Sequence, residues 1–210
     1  MNRDLALKIS AKLAEKLDGS KQDVEIWAYG LEIILNSVIK FLIIAVLSVF
    51  LGIFQYTMFC IIAFAFFRHF GGGVHFSTYL RCLSFGVMTF LISGKIASLD
   101  KLLIIQEMFF YMTLVLGVLT IVKWVPADTK KKPIKEKEKI KEQKMKTTVV
   151  LVFWLILTIF LDEQGKNTYI PAIVLGVFES LLFMTPFGYW MINGIDNFLN
   201  KIFIKTEEVK

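Results

Sequence analysis

The sequence predicts an all-α membrane protein with about six transmembrane helices, the second and fifth short, preceded by an interfacial amphipathic helix. Three observations lead there. The 210-residue chain is 56% hydrophobic with a mean hydropathy of +0.62, more apolar than a soluble domain of this size. Its apolar residues gather in blocks instead of spreading with amphipathic spacing. Its net charge of +6 is concentrated, with nine lysines between Lys130 and Lys146. A basic block can suit nucleic acid. Between two hydrophobic spans it reads instead as a cytoplasmic loop beside an anionic leaflet, so lipid and not nucleic acid is the expected neighbour.

Residues 1–19 form the first element. Leu5, Ile9, Leu13 and Leu17 make an i, i+4 stripe opposite Arg3, Lys8, Lys12 and Lys16, the pattern of a helix lying in the membrane interface. Gly19 is the expected stop, and Ser20 with Asp23 reads as a capping box for the next helix. Residues 1–29 lack a compact apolar run, so no cleavable signal peptide is expected. Residues 20–210 form one polytopic domain. Its spans are expected at Leu31–Phe54, Tyr56–Phe67, Tyr79–Ser98, Leu102–Val125, Thr147–Leu161 and Tyr169–Ile192. Pro171 and Pro186 shape the last, with Pro186 a candidate kink. Lys40, Glu107 and Glu179 lie inside apolar segments, where a charge is expensive and usually paired or functional. Glu179 is expected to pair with Lys40, support a catalytic imidazole or line a water-filled cavity.

Placing the 126–146 loop in the cytoplasm puts both termini and the 68–78 segment there too. Only Lys95, Lys101 and Lys166 then fall on the outer side, so charge bias and span parity agree.

The 68–82 segment holds both histidines and one of the two cysteines. His75 and Cys82 are seven residues apart, two turns of a helix, which would set them on one face. An apolar helix disfavours a thiolate, and a neighbouring imidazole offsets this by taking the proton. The amides of the glycine run, or the Arg68 side chain, are candidate oxyanion or substrate supports, which marks Arg68, Gly72 and Gly73. Blander readings stand beside these. A cysteine in an apolar helix is usually a small buried hydrophobe, and Cys60 fits that description. A boundary histidine is usually hydrogen-bonded, and a triple glycine is usually a turn. A zinc site from His69, His75 and Cys82 lacks a fourth ligand. The two cysteines do not suggest a disulfide framework.

The arrangement Arg68-x3-Gly72-Gly73-x-His75-x6-Cys82 closely resembles that of the AgrB family, the accessory gene regulator B proteins of bacteria. The basic segment Pro126–Ile134 and the segment Glu25–Leu35 are similar as well, and the resemblance covers most of the chain. It implies a membrane cysteine endopeptidase of the bacterial cell membrane, with Cys82 as nucleophile and His75 as base. The implied substrate is a small AgrD-like precursor peptide, matured to a cyclic autoinducing peptide for quorum sensing. No cofactor or metal is implied. Lys130, Lys131 and Lys132 are candidate sites for the precursor's acidic tail, the alternative being that they only set topology. A homodimer is a further partner to test. The competing classes are a small membrane peptide transporter and a regulatory membrane protein, neither of which would need Cys82.

Overall fold

In lipid every backbone amide and carbonyl must find its partner inside the chain, which favours helices wherever the sequence is apolar. The computed structural model of the protein describes residues 2–99, 103–127, 136–165 and 167–207. Among these residues the regular structure is helical, with one isolated parallel bridge between Gly72 and Ala127. The helices are α1 (Asn2–Lys16), α2 (Lys21–Phe50), α3 (Phe54–Gly71), α4 (Tyr79–Ala97), α5 (Leu103–Lys123), α6 (Lys137–Glu163), α7 (Ile170–Leu182) and α8 (Pro186–Glu207). They fall into two compact units, residues 1–47 and 48–210.

In the first unit the capping box forms as read. The Ser20 amide and hydroxyl both donate to the Asp23 carboxylate, at 2.9 and 2.7 Å, and the Asp23 amide donates back to Ser20 Oγ at 3.2 Å. Helix α1 ends at Lys16, ahead of the expected stop at Gly19, and the left-handed residue is Asp18, at φ 50°. Gly19 is needed for space: a Cβ there would sit 3.1 Å from the Trp27 ring and 3.2 Å from Ala14 Cβ. Leu5, Ile9, Leu13 and Leu17 are all exposed, while Ala6, Ser10 and Ala14 are buried.

The second unit is organised around α7. Its Ile173, Val174, Val177 and Leu181 join Phe67, Ile121, Leu151, Trp154 and Met184 in one core cluster. Small residues let the backbones touch, as membrane helices commonly do. A Cβ on Gly176 would lie 2.1 Å from the Cys60 carbonyl oxygen, and one on Gly94 would lie 2.2 Å from Thr57 Oγ1. Cys60 is fully buried at this contact, the small core residue that its sequence surroundings suggest.

Span by span, the structure redraws several expected boundaries. Three described helices are long and apolar enough to cross a membrane: α2, α4 and α6. A fourth crossing is supplied if the pair 167–182 and 186–202, bent by 79°, counts as one. Among the described residues, length and composition thus give three spans, or four with the bent pair, beside the six expected. The single helix read over Tyr169–Ile192 is two helices. Pro186 is not a kink but the first residue of α8, a position where the missing N–H costs nothing. Thr185 caps that helix, its hydroxyl accepting from the Gly188 amide at 3.2 Å. Part of the basic 126–146 loop is helix too, since α6 starts at Lys137. The short fifth span thereby becomes part of a 27-residue helix.

The α3–α7 contact gives a direct test. Gly176→Val forces a branched side chain against a backbone carbonyl that cannot move aside. The expected loss is about 1–3 kcal/mol of unfolding free energy, read as a lower unfolding midpoint in detergent. Gly30→Ala, with nothing within 4 Å of the added Cβ, should leave the midpoint in place.

Candidate active site

The segment between α3 and α4 gathers the ends of four helices. Helix α3 stops at Gly71, and the next two residues turn the chain with φ 79° at Gly72 and 130° at Gly73, values that favour glycine. The turn is stitched down by backbone bonds. The Gly72 amide donates to the Arg68 carbonyl at 3.1 Å and the Gly73 amide to the Ala127 carbonyl at 2.7 Å. The Ala127 amide returns a bond to the Gly71 carbonyl at 2.8 Å, and the Val74 amide reaches the Phe183 carbonyl at 3.1 Å. Ala127 lies four residues beyond α5 and begins the route to the lysine block. Phe183 sits in the break between α7 and α8.

These bonds decide what the glycines do. The amides of Gly72 and Gly73, read from sequence as oxyanion donors, are spent on holding the turn. Arg68 is also turned inward: its Nη2 donates to the Val74 carbonyl. A Cβ on Gly73 would fall 1.8 Å from Arg68 Nη1, so Gly73 makes room for the guanidinium. Arg68 lies within electrostatic range of both Cys82 and Tyr189. The structure thus brings Arg68 towards the cysteine while giving its reach to the loop backbone.

His75 and Cys82 do not share a helix face. Helix α4 begins at Tyr79, so His75 lies in the non-helical stretch before it, exposed, while Cys82 sits half-buried in the first turn. It is the fold of residues 76–78, and not two turns of helix, that sets one relative to the other. Thr78, the N-cap of α4, makes no side-chain capping bond, and the Cys82 amide donates to the Thr78 carbonyl at 3.2 Å. Cys82 thus stands at the N-terminal end of a 19-residue helix.

Beneath the segment runs an apolar floor of rings. Phe76 packs on Phe85 at 5.1 Å, Phe85 on Phe183 at 5.9 Å and Phe64 on Phe90 at 5.1 Å between centroids. Sequence reasoning passed over these rings because every span is rich in phenylalanine. It also missed Ala127, Tyr189 and Asp196. Asp196 carried a signal: it stands with Asn200 at an i, i+4 spacing in the tail of α8.

Other candidates lie elsewhere. Glu179 is buried and accepts the Ser93 hydroxyl. Ser93 lies eleven residues along α4 from Cys82, about 16 Å of helix rise, too far for Glu179 to orient His75. Glu107 lines a cavity of about 350 Å³ with Phe110, Tyr111, Thr158, Asp162 and Asn167, formed by the start of α5, the end of α6 and the approach to α7. Lys130, Lys131 and Lys132 lie outside the described residues. Among the described residues no three His, Cys, Asp or Glu side chains gather as a metal site.

The glycine turn is open to test. Gly73→Ala places a methyl on Arg68 and strains a left-handed residue, at about 1–3 kcal/mol. It should change the rate at which a maleimide labels Cys82, with Cys60 silent because it is buried. An unaltered labelling rate in a folded variant would show that the turn does not set the environment of Cys82.

The sequence model of the Accessory gene regulator B family matches residues 6–186. Relatives include accessory gene regulator protein B of Staphylococcus intermedius, 28% identical over 83% of this chain and 90% of the relative. The protein of the same name from Staphylococcus saprophyticus is 26% identical over 70% of this chain and 75% of the relative. An AgrB-like protein of Clostridium perfringens is 25% identical over 96% of this chain and the whole of the relative. No solved structure matches the chain.

Proposed function

The chain belongs to the accessory gene regulator B family, and from that premise we propose that it is a membrane cysteine endopeptidase. In this reading it cleaves the C-terminal tail from a small AgrD-like precursor and promotes its cyclisation to an autoinducing peptide. The observation that carries the reading is the tie between the His75–Cys82 segment and the basic loop through the Gly72–Ala127 bridge. A nucleophile and base at one end of the helices are thereby joined to the part of the chain best suited to hold an acidic tail.

In the proposed chemistry, His75 takes the proton from Cys82 Sγ and the thiolate attacks a carbonyl of the precursor. The C–N bond breaks, and the tail leaves as an amine that takes the proton from His75. The precursor core remains on Cys82 as a thioester. A cysteine thiol within the precursor then attacks that carbonyl, closing a thiolactone and releasing Cys82; a serine there would give a lactone. Arg68 is a positioning residue in this reading, its Nη2 holding the Val74 carbonyl next to His75. The floor of Phe76, Phe85 and Phe183 supports the exclusion of water, which would otherwise hydrolyse the thioester.

Location belongs to the same proposal: a multi-pass protein of the bacterial cell membrane, both termini cytoplasmic, with the site at the inner face beside anionic lipid. What supports it is that Ala127, near the start of the 126–146 segment, is bonded to the glycine turn, and the positive-inside rule assigns that lysine-rich segment of sequence to the cytoplasm. The exposed leucine stripe of α1 suits an interfacial helix that meets the precursor at the membrane surface. A homodimer completes the expected set of partners.

Two experiments test this. Purified protein in nanodiscs is incubated with the short peptide encoded beside it, and the products are read by mass spectrometry. A peptide shortened at its C-terminus and an acyl adduct on Cys82 are expected, both lost in Cys82→Ala, with cleavage lost in His75→Ala. Folded wild type that leaves the correct peptide intact would favour the transporter or regulatory classes. In the second experiment Lys130–Lys132 are replaced by glutamine. Processing at limiting precursor should fall roughly tenfold, the effect of a few weakened charge contacts of about 1 kcal/mol or less each, while membrane insertion is retained. Undiminished processing would leave the lysines as topology signals alone.

A further inference from the structure

Beyond the dyad, we infer that Asp196 of α8 is a positioning residue for His75 and Cys82, clamping the backbone between them from outside the segment. The inference rests on the proposed activity for its kinetic consequences and on geometry for its substance. One Asp196 oxygen, Oδ2, accepts the Ser77 amide at 2.8 Å. The other, Oδ1, accepts Arg81 Nη1 at 2.5 Å. Ser77 is two residues after His75, and Arg81 immediately precedes Cys82. A single carboxylate therefore grips two points, Ser77 and Arg81, of the six-residue stretch that separates base from nucleophile.

The clamp is sheltered and reinforced. The side chains of Arg81 and Asp196 are 14% and 12% exposed. Arg81 Nη1 also reaches the Asp196 carbonyl at 3.3 Å and Asn200 Oδ1 at 2.7 Å, one helical turn further along α8. It lies 3.4 Å from Ser77 Oγ, closing the ring of contacts. Both carboxylate oxygens are thus used in hydrogen bonds, the Arg81 bond being between opposite charges, the strong kind in which direction as well as energy is set. Thr78 makes no side-chain cap on α4. Asp196 supplies the negative charge at that helix end from another helix, where it also answers the dipole.

This matters for a dyad split between a loop and a helix. His75 has no helix of its own to fix its direction. Its relation to Cys82 is set by the path of residues 76–81, and the clamp holds that path at 77 and 81. Asp196 also neutralises Arg81, so the cation beside Cys82 is committed to structure. The family match ends at Pro186, the first residue of α8, so the clamp is built from a helix that lies almost wholly beyond the matched region.

The test uses the full chain in nanodiscs, with Asp196→Ala, Asp196→Asn and Asp196→Glu beside wild type. Two readouts are taken on folded protein: kcat and KM for precursor cleavage, and the pH profile of Cys82 alkylation by iodoacetamide. Asp196→Ala should lower kcat on the order of a hundredfold, the cost of a misplaced catalytic group, with KM nearly unchanged. It should also displace the alkylation profile. Asp196→Asn keeps one acceptor oxygen but loses the charge and the second acceptor, so it should fall between, and Asp196→Glu should restore part of the rate. A folded Asp196→Ala or Asp196→Asn protein with the wild-type alkylation profile would overturn the inference. Wild type that fails to cleave the precursor would sink the proposed activity alone, because the alkylation profile decides the clamp without any precursor.

Discussion

The turn at Gly71–Val74 depends on one constraint: a chain that leaves a helix at a membrane boundary must still bond its amides and carbonyls. The solution is not local. Gly73 reaches Ala127 beyond α5, and Val74 reaches Phe183 beyond α7. Each acceptor is available because its own helix has stopped. Helix α7 ends at Leu182, and Pro186 starts a new helix instead of extending it, so the Phe183 carbonyl is left facing the turn. The break in the last apolar block is thus part of the site, although it lies about a hundred residues from Cys82.

Packing around α7 makes that arrangement rigid. Gly176 against the Cys60 carbonyl and Gly94 against Thr57 bring backbones into contact, so α3, α4 and α7 have little freedom to slide. The ends of α3 and α7 and the start of α4 carry the glycine turn, the Phe183 carbonyl and Cys82. Fixing the helices in mid-span fixes their ends. The buried Glu179–Ser93 pair lies between α7 and α4, where it ties the same two helices together. That is a structural use for a carboxylate whose position in the sequence invited a catalytic one.

The sequence carried the helical class, the α4 boundaries and the Ser20–Asp23 box almost unchanged, because each is a local matter of apolar length or side-chain capping. It also makes the 68–82 segment stand out, with two histidines, a cysteine and three glycines in fifteen residues of an apolar chain. What it could not carry was relative placement. Seven residues suggested one helix face, but Gly72 and Gly73 adopt positive φ and α4 starts only at Tyr79, so the spacing was measured along the wrong structure. The glycine amides were read as open because their acceptors, Ala127 and Phe183, are distant in sequence and chemically silent. Pro186 was legible as a disturbance. Its consequence, a 79° change of direction, depends on Thr185 capping the new helix and on the α7 core that receives it.

One physical theme runs through the site. In the proposed reaction, acyl exchange between a cysteine thioester and a thiolactone is close to thermoneutral, so an enzyme of that kind gains little from tight binding of its intermediate and much from geometry and dryness. The structure spends its charged groups accordingly. Arg68 is committed to a backbone carbonyl and Arg81 to Asp196. The lysines stand in a separate block of sequence, suited to attract an acidic peptide without entering the reaction. Fixed hydrogen bonds hold the chain at Ser77 and Arg81, and Phe76, Phe85 and Phe183 pack together along the same part of the fold. A thioester has to survive water yet yield to a neighbouring thiol, and that requirement favours a rigid frame over a strongly charged pocket.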